Sequence, residues 1–249
     1  MIVNSLYQFL FVMIFILSSG KVFSQIKNGR VIYTVSFNKE AALKELDSMH
    51  ITDPFVRAGL KEYYEFADDV TMQLDFSEEY SRFHGERSLE SDNAKTSAFM
   101  AIMSGLSSNT YVNLNTGEVY KDTDVLAGVL IKQPPLKWNL TRETKTIANY
   151  TCYKAMAIWE ITTSSGERKH KLEAWYTPDI PLSLGPYLFT GLPGVILELH
   201  VPKQNLIFKA ESLDLNPPVP EEVNFPDKKI ISQEEADNIL RGYLKDVKN

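Results

Sequence analysis

Gly185-Pro186-Tyr187-Leu188-Phe189-Thr190-Gly191-Leu192-Pro193-Gly194-Val195-Ile196-Leu197-Glu198 reads as a corner feeding a strand. Pro193-Gly194 suits the two central positions of a type II turn: proline presets φ at about −65° and glycine accepts the positive φ required next. Val195 to Val201 then follows as a strand, β-branched at its start, with Leu197, Leu199 and Val201 alternating against Glu198 and His200. Gly185-Pro186 and Gly191 mark two further points where the backbone must bend or be closely approached. Large rings gather around this corner, among them Trp138, Trp159, Trp175, Tyr176, Tyr187 and Phe189. They are read either as a core built from big side chains or as an apolar groove on the concave face of a curved sheet. On the groove reading the ligand contacts are Trp138, Trp175, Tyr176, Tyr187, Phe189 and Leu192.

Outward from the corner the chain alternates at period two. Lys169 to Thr177 sets Leu172, Ala174 and Tyr176 against Glu173 and Trp175, and Leu206 to Leu213 follows Val195–Val201 across Pro202-Lys203-Gln204-Asn205. Upstream, Trp138 to Thr141, Lys145 to Ile147 and Tyr150 to Ile161 read as strands, as does the apolar run Val125 to Lys132. Asn115-Thr116-Gly117 is a hairpin turn between Tyr111–Leu114 and Glu118–Lys121. Glu79 to Gly85 pairs with Val70–Phe76, and Gly29 to Asn38 opens the fold with Val31, Tyr33, Val35 and Phe37 on one face.

Three stretches have helical period. Residues 41–46 form a short helix, and Asp53-Pro54 caps a second that runs to Ala67, with Tyr63, Tyr64 and Phe66 docking it on a sheet. Ser232 and Glu235 form a capping box before a C-terminal helix striped by Ala236, Ile239, Leu240 and Tyr243. Ser91 to Leu106 carries a further helical stripe inside a polar stretch. The expected fold is mainly β (α+β), a curved antiparallel sheet of roughly ten strands with two or three flanking helices.

The first 24 residues stand apart. Leu6 to Leu17 is apolar apart from Tyr7 and Gln8, too short for the ~20 residues a spanning helix needs. Val22 and Ser24 fit the small-residue positions of a signal-peptidase site. The reading is a signal peptide over 1–24 and one domain over 25–249, exported to the periplasm or the outer membrane. Removal of 1–24 takes one of the 26 basic residues and no acidic one, so the formal charge moves from −6 to −7. An acidic chain without clustered Lys/Arg argues against nucleic acid or an anionic membrane surface as partner. Cys152 is the single cysteine, so no intramolecular disulfide forms.

Residues 136–198 resemble the GLPGLI family, secreted proteins of the Bacteroidetes named for this turn. The signature here is Gly191-Leu192-Pro193-Gly194-Val195-Ile196, with Val195 where the family name has leucine. Leu136-Lys137-Trp138, Lys145-Thr146-Ile147, Tyr150-Thr151-Cys152-Tyr153-Lys154-Ala155, Ala174-Trp175-Tyr176-Thr177, Ile180-Pro181 and Gly185-Pro186 complete the match in order. The resemblance implies export in a Gram-negative bacterium and a mainly β fold. It implies no activity and no catalytic residues.

No catalytic motif stands out. His50, His84, His170 and His200 are not spaced as metal ligands, and neither HExxH nor CxxC is present. No metal or cofactor is expected. Cys152 lies in a strand and reads as a buried small hydrophobe rather than a nucleophile. The leading expectation is a non-enzymatic binding or envelope-accessory protein for an apolar ligand or an envelope partner. The alternative is a periplasmic hydrolase of peptide or glycan that assembles Glu173, Glu198 and His200.

Overall fold

The computed structural model describes residues 26–85, 108–163, 166–218 and 222–246. The helical stripe at 91–106 lies outside them. Twelve strands form a single sheet: β1 (Gly29–Phe37), β2 (Val70–Phe76), β3 (Tyr80–Gly85), β4 (Asn109–Asn113), β5 (Val119–Asp122), β6 (Val129–Lys132), β7 (Asn139–Ile147), β8 (Tyr150–Thr163), β9 (Gly166–Thr177), β10 (Val195–Val201), β11 (Leu206–Leu215) and β12 (Lys229–Ser232). Their spatial order is β12-β6-β5-β4-β3-β2-β1-β11-β10-β9-β8-β7. Three helices join them: α1 (Lys39–Ser48), α2 (Pro54–Phe66) and α3 (Gln233–Asp246). The mainly β class is as expected, with the strand count somewhat higher.

The alternation read from the sequence becomes two chemically distinct faces. Cross-strand partners Val35, Phe208, Leu199, Ala174 and Ala155 form one inner row over five neighbouring strands, all buried. The register one residue away gives the outer row Thr34, Lys209, Glu198, Trp175 and Lys154. The sheet is strongly curled toward its inner face. Phe83 on β3 and Phe208 on β11 are three strand steps apart, about 14 Å in a flat sheet, yet their ring centroids lie 6.4 Å apart. Tyr33 on β1 donates its hydroxyl to Ile196 O on β10 at 2.7 Å across the same concavity.

Residues 178–194 fill the curl. Ile180, Leu184, Tyr187, Leu188, Phe189 and Leu192 join one core cluster with the inner-face residues of both halves of the sheet. With no disulfide available, Cys152 being free and buried, this burial carries the fold.

The helix starts are chemically specified. Asp53 accepts from the Phe55 and Val56 N–H groups at 2.8 and 3.3 Å, with Pro54 opening α2. Tyr63 and Tyr64 dock α2 on Phe37 at ring distances of 6.2 and 5.4 Å. Ser232 Oγ accepts from the Glu235 N–H at 3.0 Å, while the Glu235 carboxylate turns to Lys229. Only half of the capping box is therefore closed.

Four expectations change. Val125–Lys132 is not one strand: Thr123 caps a 3-10 turn over Asp124–Leu126, Gly128 takes φ +85°, and only Val129–Lys132 is extended. Val125 is 71% exposed as a result. The sheet is mixed rather than wholly antiparallel, because β12 pairs with β6 in parallel. The segments at 138–141 and 145–147 fall within one strand, β7, with a register shift between Leu140 and Thr144. Finally Ile239 is exposed, while Ala236 and Leu240 pack on Leu126, Ile131 and Ile231; the side chain of Tyr243 lies outside the described ones.

Candidate functional site

The corner is held from several sides. Val195 N and Ile196 N donate to Ile180 O and Leu184 O at 3.3 and 2.9 Å. Gly191 N donates to Ser183 Oγ at 3.0 Å, Thr190 Oγ1 donates to Ser183 O, and the Trp138 indole N–H donates to Thr190 O at 2.8 Å. Pro193-Gly194 is not a type II turn. The Val195 N–H that would close it is committed to Ile180, and Gly194 does not adopt a left-handed φ; that conformation falls to Gly191, at +98°. Gly194 is required for space, since a Cβ there would sit 2.1 Å from Thr177 O. Gly185 is a close approach of the same kind, 2.0 Å from Phe189 O.

The aromatic set divides between the two faces of the sheet. Tyr187, Phe189 and Leu192 are buried in the core, with Phe189 in edge contact with Trp159 at 5.2 Å and Tyr187 at 5.8 Å. Trp138 is half-buried against the corner. Trp175 and Tyr176 are adjacent on β9 and so face opposite sides of the sheet. The six residues do not line one groove.

Trp175 instead floors a charged cluster on the outer face. Lys145 Nζ on β7 and Lys154 Nζ on β8 lie 4.4 and 5.7 Å from its ring centroid. Lys145 and His200 meet Glu198 at 2.8 and 2.6 Å, and Lys154 bridges Glu173 at 3.1 Å and Glu143 at 3.3 Å. The hydrogen bond with His200, aided by Lys145, overrides partial burial and holds the Glu198 carboxyl at about 2. The sequence reading paired Glu198 with His200; it had no means of bringing in Lys145 from β7.

A carboxylate at about 2 is a poor general base and carries no proton to donate near neutrality. Glu173 is similarly occupied by Lys154 and by the Trp175 N–H at 3.3 Å. Cys152 is fully buried and burial pushes its thiol up to about 11, which leaves it inert. Among the described residues no three His, Cys, Asp or Glu side chains are grouped to hold a metal ion.

Two features of the outer face escaped the sequence reading. An open groove of about 660 Å³ runs between the β2–β3 turn and the strand-free crossing at 222–225. Its lining includes Glu78, Glu79, Glu222 and a stacked ring pair, Tyr80 and Phe225, with centroids 4.9 Å apart. Lys27 balances Glu78 at 2.8 Å. Further along the same face Asp75, fully buried, receives Arg30 Nε at 2.6 Å, His84 Nε2 at 2.7 Å and Arg82 Nη2 at 3.4 Å. Burial pushes the Asp75 carboxyl up, but His84 and Arg30 together bring it below its ordinary value. The polar alternation of β1 and β2 shows Arg30 and Asp75 as outer residues; only the strand register puts them side by side.

Residues 162–198, from the end of β8 through β9 and the corner into β10, match a family described as "Protein of unknown function (Porph_ging)". The matching family is an uncharacterised one. The matched stretch includes Gly191–Ile196, the hexapeptide that carries the GLPGLI resemblance. No curated protein matches the chain. Solved structures of PNGF-II in two crystal forms are similar at TM-score 0.48, with 13% and 14% identity over 86% and 83% of this chain. The chain spans about a third of the length of those proteins, 33% and 31% respectively. Among the described residues no helix is long and apolar enough to cross a membrane.

Proposed function

We propose that residues 25–249 form a single exported domain that binds a partner rather than catalysing a reaction, acting in the periplasm or at the outer membrane. The occupant is a basic, extended segment of an envelope protein, and its seat is the groove between the β2–β3 turn and residues 222–225. The groove carries this reading. Its volume falls within the range of ligand clefts, its carboxylates outnumber its one lysine, and aromatic faces favour cationic side chains. The apolar-ligand form of the reading relied on Trp138, Trp175, Tyr176, Tyr187, Phe189 and Leu192. These pack into the core or under lysines, so the contact surface moves from the corner to the groove. A hydrolase of peptide or glycan needs an acid and a base able to exchange protons; in the Trp175 cluster both Glu173 and Glu198 are held in ion pairs.

The test is titration of the mature chain with hexalysine by calorimetry, beside the double variant Glu79→Lys/Glu222→Lys. Saturable binding by the native chain that the variant loses is the expected result. No binding, or equal binding by both, overturns the reading.

A further inference from the structure

Asp214, Arg30, Asp75 and Arg82 are consecutive cross-strand partners on β11, β1, β2 and β3. Their charges alternate along this outer row, so each inner member has an opposite charge on both sides. Arg82 ends the ladder. Its partner on the far side is Tyr111 on β4, followed by Tyr120 on β5. A guanidinium offers five N–H donors in a fixed fork, yet the contact of Arg82 with Asp75 is a single long one at 3.4 Å. Its Nε is buried and has no hydrogen-bond acceptor. Leaving a charged donor unsatisfied in a low-dielectric setting is costly.

The side chain is nonetheless reachable, at 29% exposure. On the Tyr111 side Asp122 is committed to Lys228 through both oxygens at 2.7 and 2.9 Å, and Glu118 to Lys132. Arg30 and His84 already hold Asp75 at 2.6 and 2.7 Å without Arg82. The second arginine is thus surplus to the neutralisation of Asp75.

We propose that Arg82 is the anchor of an oxyanion site on the outer face of β3, with Tyr111 as its floor. The ligand is a carboxylate, phosphate or sulfate group that completes the charge ladder by accepting from the outer, Nη end of the guanidinium in a bidentate geometry, Nε itself being buried. The site adjoins the groove, Tyr111 meeting Phe225 at a ring distance of 5.9 Å, but it takes the opposite charge, so hexalysine tests the groove and an anion tests Arg82.

The side-chain Nε–H resonances of arginine report directly, without a substitution. The mature chain is titrated in parallel with inorganic phosphate, inorganic sulfate and N-acetylglutamate, at constant ionic strength. The Arg82 Nε–H signal is expected to shift saturably with at least one of the three, while that of Arg142, on edge strand β7, stays in place. The arm that saturates at lowest concentration names the ligand chemistry. Arg82→Lys keeps the charge and loses the fork, so its binding weakens about tenfold, read from a ring signal of Tyr111. An Arg82 resonance that none of the three moves overturns the site. So does a shift no larger than that of Arg142, or an Arg82→Lys variant that binds as well as the native chain.

Discussion

Gly194 and Gly117 both sit at chain reversals, and each is glycine for a different reason. Gly117 takes φ +73° with open space around its missing side chain, so Gly117→Ala meets backbone strain alone, about 1 kcal/mol. At Gly194 the added methyl would land on the carbonyl that ends β9, and neither backbone can withdraw without opening the sheet. Gly194→Ala is expected to cost about 3 kcal/mol or more, a difference that urea unfolding of the two variants resolves directly. The sequence marked Gly194 as a turn residue and so suggested the wrong cause, because a proline–glycine pair advertises a turn and says nothing of a distant carbonyl. Glu198 gives a prediction in pH. Its folded value of about 2 lies below its ordinary 4.5, so the extra stability is complete above about pH 5 and disappears as the pH falls toward 2. Glu198→Gln is expected to lower stability at pH 7 by up to about 3 kcal/mol, and the gap to the native chain to close between pH 5 and 2. Urea midpoints at pH 7, 4 and 2.5 check this; a gap that stays constant would exclude the ion pair as its source.

Among the helices, α2 is the one whose placement depends least on burial. None of its described side chains is fully buried, and Phe55 is 87% exposed. Its start therefore rests on Asp53, and Asp53→Ala is expected to cost about 1 kcal/mol locally. Amide exchange over 55–65 should accelerate about fivefold while exchange in β1 is unchanged, since local opening does not require the sheet to melt. Elements with strict alternation or a cap, such as β1, β2 and α2, were legible because each signal is local. β12 was not: four residues ahead of a capped helix carry too little pattern, and its parallel partner β6 lies about a hundred positions away. The Val125–Lys132 run misled for a related reason, since apolar content cannot distinguish a strand from a turn that Thr123 and Gly128 impose. The Asp75 ladder was invisible as a site, and of the Trp175 cluster the sequence offered Glu173, Trp175, Glu198 and His200 but not Lys145 or Lys154. Their members come from three or four strands, and register, not composition, makes them neighbours.

At the scale of the molecule the two ends of the chain have unequal standing in the sheet. β1 lies in the interior of the strand order between β2 and β11, whereas β12 is an edge strand backed by α3. Deletion of 229–246 should leave a cooperative urea transition at a lowered midpoint, with Leu126 and Ile131 uncovered. Deletion of 26–38 should abolish the transition, since it removes Val31, Tyr33 and Val35 from the core and unpairs two strands at once. The place of β1 also governs how the chain can come into being. Delivered amino end first, its earliest strand gains β2 within some 40 residues but waits for its second partner, β11, until about 170 residues on. Half-delivered chains hold a β1–β2 pair whose other edge has nothing to close on. That bare edge stays open to any passing strand until the last third of the chain has arrived.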